Sequence, residues 1–241
     1  MSVHSSPPAI TLSPIGLIES DFPDKFGVPR QPGLAPSARA LLRLLPPYDD
    51  PLTVRGLETF SHLWLTFLFH QSPERWTPLV RPPRLGGNRR VGVFASRSTH
   101  RPNRLGLSLV ELIEVDTRGG VRLLLAGADL VNGTPVLDIK PYLPWAEARP
   151  EASAGFAPEA PHRLPVCFTQ TAEATLAGRD DAASLRSLIE EVLSQDPRPA
   201  YRDDDEARRY GVRLRELDIR FRVVAASRGT RLLEVLEIVP A

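Results

Sequence analysis

The chain has 241 residues, 42% of them hydrophobic, and a formal net charge of +1, enough length and apolar content for one large domain or two small ones with a core. No apolar run approaches the roughly 20 residues of a membrane span, and the start MSVHSSPPAITLSP has neither a basic opening nor a long apolar region, so no secretory signal is expected. A lone cysteine, Cys167, excludes an internal disulfide and a cysteine zinc cluster; the expectation is a cytoplasmic protein with no membrane or metal partner.

The small net charge hides an uneven distribution. All but two of the 30 basic residues are arginines, the exceptions being Lys25 and Lys140. A GC-rich genome accounts for the average arginine but not for its position. From Arg75 to Val110 there is no Asp or Glu, and the span carries Arg75, Arg81, Arg84, Arg89, Arg90, Arg97, Arg101 and Arg104. A solvated face normally mixes both signs, so a one-sign run points to an anionic partner such as phosphate or RNA.

In chain order, Ile10–Glu19 reads as a first strand kinked at Pro14-Ile15-Gly16. Ser20–Ala35 is too rich in Pro and Gly for a helix and reads as a structured loop. Within it, Pro29 and Pro32 fix the backbone on either side of Arg30 and Gln31. That suits presenting two polar side chains to a ligand, an ordinary surface turn being the equal alternative. Ser37–Leu45 fits a short helix or a strand. Leu57–Phe69 (LETFSHLWLTFLF) reads as a buried strand, with a helix not excluded by periodicity. It ends at His70-Gln71, placed either to contact a ligand or to cap the strand.

Leu79–Asn88 is a basic Pro/Gly loop. Val91, Val93 and Ala95 then alternate as a strand, Ser96–Arg104 breaks the pattern, and Leu105–Val110 is apolar again. A loop of Arg, His, Asn and hydroxyl side chains is thus held between two strands, where binding chemistry tends to sit. Leu109–Val115 and Val121–Leu125 read as strands joined through Asp116–Gly120, Asn132-Gly133 marks a tight turn, and Val136–Tyr142 alternates again. The first 145 residues therefore fit an antiparallel barrel or sandwich.

Trp145–Pro165 reads as an Ala/Pro/Glu linker. Val166–Thr171 follows as a strand. Asp181–Gln195 is the clearest helix, with Leu185, Leu188, Ile189 and Val192 at three- and four-residue spacing and Asp180 or Asp181 as its cap. Asp196–Arg202 reads as a rigid polar loop, and Leu214–Ala225 and Arg231–Val239 as two strands. The expected division is a β-barrel domain over 1–150, a linker over 151–161 and a small α+β domain over 162–241.

No GxGxxG follows a strand and opens a helix, and Gly86-Gly87 is not followed by the Gly-Lys-Ser/Thr of a P-loop. The five histidines lack HExxH spacing. Ser and His in the basic loop do not by adjacency make a triad. Composition and spacing reach a β-rich domain with an Arg-rich loop that binds an anion or RNA, and name no reaction.

Longer strings say more. They are Lys25–Leu34 (KFGVPRQPGL), Arg55–Glu58 (RGLE), Phe60–Trp64 (FSHLW), Phe69–Gln71 (FHQ), Arg81–Asn88 (RPPRLGGN), Gly92–Leu112 (GVFASRSTHRPNRLGLSLVEL), Gly133–Tyr142 (GTPVLDIKPY) and Asp196–Tyr201 (DPRPAY). Together the chain resembles the TrmO (YaeB/TsaA-like) family, tRNA methyltransferases that use S-adenosylmethionine (SAM) on N6 of the threonylcarbamoyl-adenosine just 3′ of the anticodon, position 37. DPRPAY matches the bacterial two-domain form. The resemblance implies a mainly β protein: a single-sheeted antiparallel six-stranded β-barrel that binds SAM in place of a Rossmann fold, then a C-terminal α+β domain. It also implies a homodimer with the cofactor site near its interface.

Carried onto matching positions, the resemblance implies SAM contacts from Pro29, Arg30, Gln31, His70, Gln71, Arg97 and Leu107, and from the turn Leu130, Val131, Asn132, Gly133, Thr134. Two positions depart from the pattern. Relatives often have Asp where Asn132 stands, so a charged contact is neutral here. They often have Pro where Arg104 stands, which adds charge and loosens the loop.

Methyl transfer is an in-line displacement, so much of the catalysis is positioning. The acceptor nitrogen carries a carbonyl, and loss of its proton asks for a nearby base. Asp138 is the first candidate and Tyr142 the second, with Lys140 as an electrostatic partner; a structural Asp138–Lys140 ion pair is the competing reading. Arg84, Arg89, Arg90, His100, Arg101 and Arg104 are expected on the phosphates of the tRNA anticodon stem-loop. Asp196, Arg198, Tyr201 and Arg202 are expected to meet its unpaired bases. The alternative is a non-catalytic RNA-binding barrel.

Overall fold

The computed structural model describes residues 9–198, 207–225 and 231–241. The first body is a closed barrel of six antiparallel strands: β1 (Gly16–Ser20), β2 (Arg39–Leu44), β3 (His62–Leu68), β6 (Leu105–Asp116), β7 (Arg122–Ala126) and β8 (Pro135–Pro141), in the order β1-β2-β7-β6-β3-β8. Gly16 opposite Val136 closes the ring between β1 and β8. Alternation decides which side chains enter. Leu63, Leu65 and Phe67 of β3 fill the interior with Ile18, Leu42, Val110, Leu123, Leu125 and Val136. In β6 the inward positions are Gly106, Ser108 and Val110. A Cβ on Gly106 would lie 2.2 Å from the Phe67 ring, so only glycine fits there.

Two strands fall outside the barrel. β4 (Leu79–Val80) and β5 (Val91–Gly92) pair with each other as a short ribbon. The expected strand Val91–Ala95 is therefore corrected: after Gly92 the backbone tightens into a 3-10 turn, Val93–Ala95. The turn breaks the alternation, burying Val93 at 2% exposure and turning Phe94 out at 75%. The run on the other side of the basic loop is stronger than expected, because Leu105–Val110 and Leu109–Val115 form one twelve-residue strand. Ile10–Ile15 precede the first strand, and Leu57–Thr59 form a 3-10 turn before β3.

The second body is a four-stranded sheet ordered β10-β11-β12-β9. It is built from β9 (Val166–Phe168), β10 (Tyr210–Leu214), β11 (Leu217–Ala225) and β12 (Arg231–Pro240), with β9 parallel to β12. A turn at Arg215-Glu216 splits the expected strand beginning at Leu214. A single helical turn, α1 (Pro144–Glu147), opens the expected linker. Helix α2 (Gln170–Ala177) stands where the strand ending at Thr171 was expected to finish; Thr169 accepts from the Ala172 N–H at its start. Helix α3 (Ala182–Leu193) buries Leu185, Leu188, Ile189 and Val192, as its spacing predicts, and Leu193 besides. Asp181 precedes α3 without capping it by its side chain, which is taken by Arg179 and Arg215.

The two bodies share a core. Phe22, Ala35 and Ala38, from the barrel's first loop, lie in the same buried cluster as α2, α3 and the second sheet. Burying a side chain such as Phe22 stabilises by about 2–3 kcal/mol. Gly27, at φ 93°, lies where a Cβ would come within 2.2 Å of Val212. Asp21 completes the weld: it accepts from Arg39 N at 2.7 Å and from Arg215 Nε at 3.0 Å. Arg215 also reaches Asp181 at 2.7 Å.

Candidate cofactor and RNA site

Three of the segments expected to contact a cofactor are tied together at one end of the barrel. Lys25 Nζ donates to the Gln71 carbonyl at 2.9 Å, joining the first loop to the end of β3. Ser20 Oγ donates to the Leu130 carbonyl at 2.7 Å, and Ser20 N to Asn132 Oδ1 at 3.1 Å. Asn132 N donates back to the Phe22 carbonyl at 2.8 Å. His70 Nε2 lies 4.0 Å from where a Gly133 Cβ would stand. Gly133, at φ 78°, makes the Asn-Gly turn, and Thr134 is buried with its hydroxyl on the Val131 carbonyl. Pro29 is buried, Arg30 is exposed, and Gln31 folds onto the Arg30 carbonyl. Asn132 is thus a backbone brace for the turn.

The Arg97–Leu107 pair lies alongside. Arg97 is exposed and its Nη2 approaches the Leu107 carbonyl at 3.5 Å. The neighbouring Ser108 points inward, fully buried, and donates to Asp129 Oδ1 at 2.5 Å. Asp129 immediately precedes the Leu130–Thr134 turn. Burial pushes its carboxyl up to about 6, against the Ser108 hydrogen bond and the charge of Arg97, which favour ionisation. Ser108 and Asp129 were not foreseen. The available signal was a serine at an inward position of an otherwise apolar strand, which calls for a buried partner. His70 is held below its usual value, first by burial, with its Leu68 contact opposing and Lys25 assisting. The group therefore offers one exposed cation, one carboxylate, an imidazole biased to neutrality and a turn of backbone.

Asp138 and Lys140 form an ion pair at 3.6 Å on the outer face of β8, their side chains 53% and 74% exposed. Exposed pairs of this kind contribute at most about 1 kcal/mol. Register places Asp138 opposite Thr66, and Thr66 opposite Leu107. Asp138 and Leu107 thus share one outer row, two strand spacings or about 10 Å apart. Tyr142 stands farther along, its ring edge-on to Trp64 and His62 at 6.1 and 6.4 Å. Trp64 Nε1 donates to Glu147 there at 2.9 Å. Of the three, Asp138 lies nearest in register to Leu107, one of the expected cofactor contacts.

The basic stretch lies on the ribbon and the loop beyond it. Arg81, Arg84, Arg89, Arg90 and His100 are exposed. Arg84 Nη2 donates to the Glu159 carbonyl at 2.6 Å. Arg101 is half-buried, with Nη1 on the Ser96 carbonyl at 2.8 Å and its guanidinium 6.0 Å from the centre of the Phe94 ring. Arg104 has a left-handed backbone, φ 51°, which proline cannot adopt. Its Nη1 reaches the Ser72 carbonyl at 3.3 Å, its Nη2 reaches Glu74 at 3.6 Å, and its own carbonyl accepts from Phe69 N. The expected loosening at Arg104 is thus corrected: that residue fastens the loop to the end of β3.

The C-terminal RNA candidates lie differently. Arg198 is buried, its Nε on Asp196 Oδ1 at 2.8 Å and its guanidinium over Tyr210 at 5.8 Å. Asp196 has a left-handed backbone, φ 48°. Asp196 and Arg198 shape the loop by holding each other. Tyr201 and Arg202 lie outside the described residues.

No helix among the described residues is long and apolar enough to cross a membrane, and no group of three or more His, Cys, Asp or Glu among them is placed to hold a metal. The family model of the tRNA-methyltransferase O N-terminal domain matches residues 17–148, and that of the TrmO C-terminal domain matches 161–241. A tRNA (adenine(37)-N6)-methyltransferase of Escherichia coli K12 is 54% identical over 217 residues, covering 88% of this chain and 92% of the relative. A Pyrococcus abyssi relative named "Probable S-adenosyl-L-methionine-binding protein" is 34% identical over 158 residues, 66% of this chain and 82% of its own. A crystal structure of TrmO from Pseudomonas aeruginosa superposes with a TM-score of 0.78 at 42% identity, covering 96% of this chain and 98% of that one. With both domain models matched end to end, the chain belongs to the tRNA-methyltransferase O family.

Proposed function

We propose that the protein is a SAM-dependent methyltransferase acting on N6 of adenine 37 in tRNA, and that its substrate base is the threonylcarbamoyl-adenosine, giving m6t6A. The observation that carries the reading is the meeting of two chemistries along one loop. Arg97 turns toward Leu107 at the barrel end, near enough for its charge to act on Asp129, while Arg89, Arg90 and His100 stand exposed within a stretch that has no acidic residue. Both relatives described above carry names consistent with it.

The residues present fit the cofactor. SAM carries a carboxylate, an ammonium, a sulfonium and an adenine. Arg97 matches the carboxylate, Asp129 a cationic centre, and the backbone of Leu130–Thr134 with His70 and Gln71 the polar edges. Pro29, Arg30 and Gln31 would add further contacts to the cofactor. Bound SAM supplies the methyl group. The protein orients the acceptor nitrogen in line with it and excludes water. Asp138, sharing an outer row with Leu107, is proposed to take the proton from the acceptor nitrogen, with Lys140 holding its charge and Tyr142 as the second candidate. Arg84, Arg89, Arg90, His100, Arg101 and Arg104 are proposed to seat the anticodon stem-loop. The 162–241 domain would add contacts from the loop that Asp196 and Arg198 shape.

The same outer face supports the homodimer. Leu107, Leu143 and Trp145 are 49%, 39% and 83% exposed on and beside β6 and β8, an apolar area that a second copy would cover. A cytoplasmic location suits a tRNA substrate. Two measurements test the reading: SAM should raise the melting temperature, and a strain lacking the gene should lose the methyl group from threonylcarbamoyl-adenosine. A protein that binds tRNA but shows no shift with SAM would instead be the non-catalytic barrel.

A further inference from the structure

We infer that the hollow walled by Phe94, Arg101, Pro102, Asn103 and Leu105 is a pocket for one unpaired base of the substrate tRNA. The inference rests on the proposed function for its ligand but on its own geometry for its place. The hollow is a half-open depression of about 370 Å³ at the foot of the basic loop. Its aromatic wall is unusual for a solvated surface: Phe94 is 75% exposed, turned out by the 3-10 turn that buries its neighbour Val93. Pro102 and Leu105 add apolar surface, and the exposed Asn103 amide adds one donor group and one acceptor. The Arg101 guanidinium is fixed at the rim by the Ser96 carbonyl.

An aromatic face, an apolar floor, one amide and one fixed cation are what an unstacked base with its phosphate requires. Charge argues against a second copy of the chain as the occupant. The surrounding residues from Arg75 to Val110 include eight arginines and no carboxylate, and a two-fold contact through this face would set arginine against arginine. An RNA backbone brings the complementary sign.

The test is steady-state methylation of tRNA at saturating SAM with Phe94→Ala, Phe94→Tyr and Asn103→Ala. Phe94→Ala should raise KM for tRNA about tenfold, the scale of one lost base–aromatic stack. Its SAM-induced thermal shift should match wild type, which also reports that it folds. Phe94→Tyr keeps a ring and should restore KM, and Asn103→Ala should raise it less than Phe94→Ala does. An unchanged KM in Phe94→Ala overturns the inference. So does a change of oligomeric state in light scattering with KM unchanged, which would give the hollow to a second copy. If wild-type protein binds tRNA but transfers no methyl, the functional reading falls alone. The pocket is then judged by tRNA binding, where Phe94→Ala must still weaken affinity about tenfold and an unchanged affinity overturns it.

Discussion

In the second body, arginines meet carboxylates. Arg179 holds Asp181 and Glu216, Arg186 holds Glu173, Arg220 lies against Asp218 and Glu237, Arg222 against Glu234, and Arg215 bridges Asp21 and Asp181. Between Arg75 and Val110 the same residue type stands otherwise. Among the described residues, Arg81, Arg89, Arg90, Arg97 and Arg101 have no carboxylate within ion-pair distance, and Arg104 alone of the stretch reaches one, Glu74 at 3.6 Å. A paired guanidinium spends its charge on the fold, whereas an unpaired exposed one is available to an anion. Composition cannot separate these uses, since the whole chain sums to +1.

The contrast predicts different failures. The largest effect is expected in the paired region. Asp21→Ala leaves Arg215 with Asp181 only, in a setting where Asp21 and Arg215 side chains are 11% and 18% exposed. Breaking so buried a pair should cost about 3 kcal/mol of stability in urea unfolding. Next, Arg97→Ala should fold normally and weaken SAM binding about 10- to 100-fold by titration calorimetry, the scale of a lost charged hydrogen bond. Joint Arg89→Ala and Arg90→Ala should then weaken tRNA binding without touching SAM affinity, lowering the salt-dependence slope by about 1 per arginine.

A smaller, pH-dependent effect belongs to Asp129. Its carboxyl titrates near 6 in the fold, above its ordinary 3.8. It is therefore charged above that pH and neutral below it. SAM affinity should fall as pH drops through about 6, and Asp129→Asn should flatten that dependence. Stability runs the other way. A raised folded pKa means the fold holds the proton more tightly than the unfolded chain, so its contribution is full below about pH 4 and declines as pH rises toward 6. Melting temperature against pH, compared between wild type and Asp129→Asn, checks the sign. The smallest effect is expected from Arg220→Ala, an exposed paired arginine, which should leave tRNA affinity and its salt slope unchanged.

Much of this architecture is legible in the sequence. An apolar aromatic run marked β3, shorter strand-like runs marked β7, β8 and both halves of β6, and the apolar spacing of α3 named four of its five buried residues, Leu193 being the one it missed. Residue strings carried the barrel topology, which periodicity alone left open between barrel and sandwich. Local pattern failed where tertiary contacts decide. Val91–Ala95 alternates like a strand, yet only Val91 and Gly92 find a partner, Leu79–Val80. Gln170–Ala177 is short and weakly patterned, and becomes helical by packing on β12 and capping with Thr169. At the site, the loop 29–31, His70-Gln71 and the 130–134 turn were readable as segments. Ser108 with Asp129 was not, because a buried hydroxyl–carboxylate pair joins positions 21 residues apart across the barrel end.

The central claim is that this chain transfers a methyl group to the base at position 37 of tRNA. The direct test incubates purified protein with SAM and tRNA bearing threonylcarbamoyl-adenosine, then identifies the nucleosides by mass spectrometry. One added methyl on N6 of that nucleoside is expected, reduced with Arg97→Ala when SAM is below saturation and retained with Arg220→Ala. Unmodified threonylcarbamoyl-adenosine, or a methyl group on another nucleoside, would contradict it.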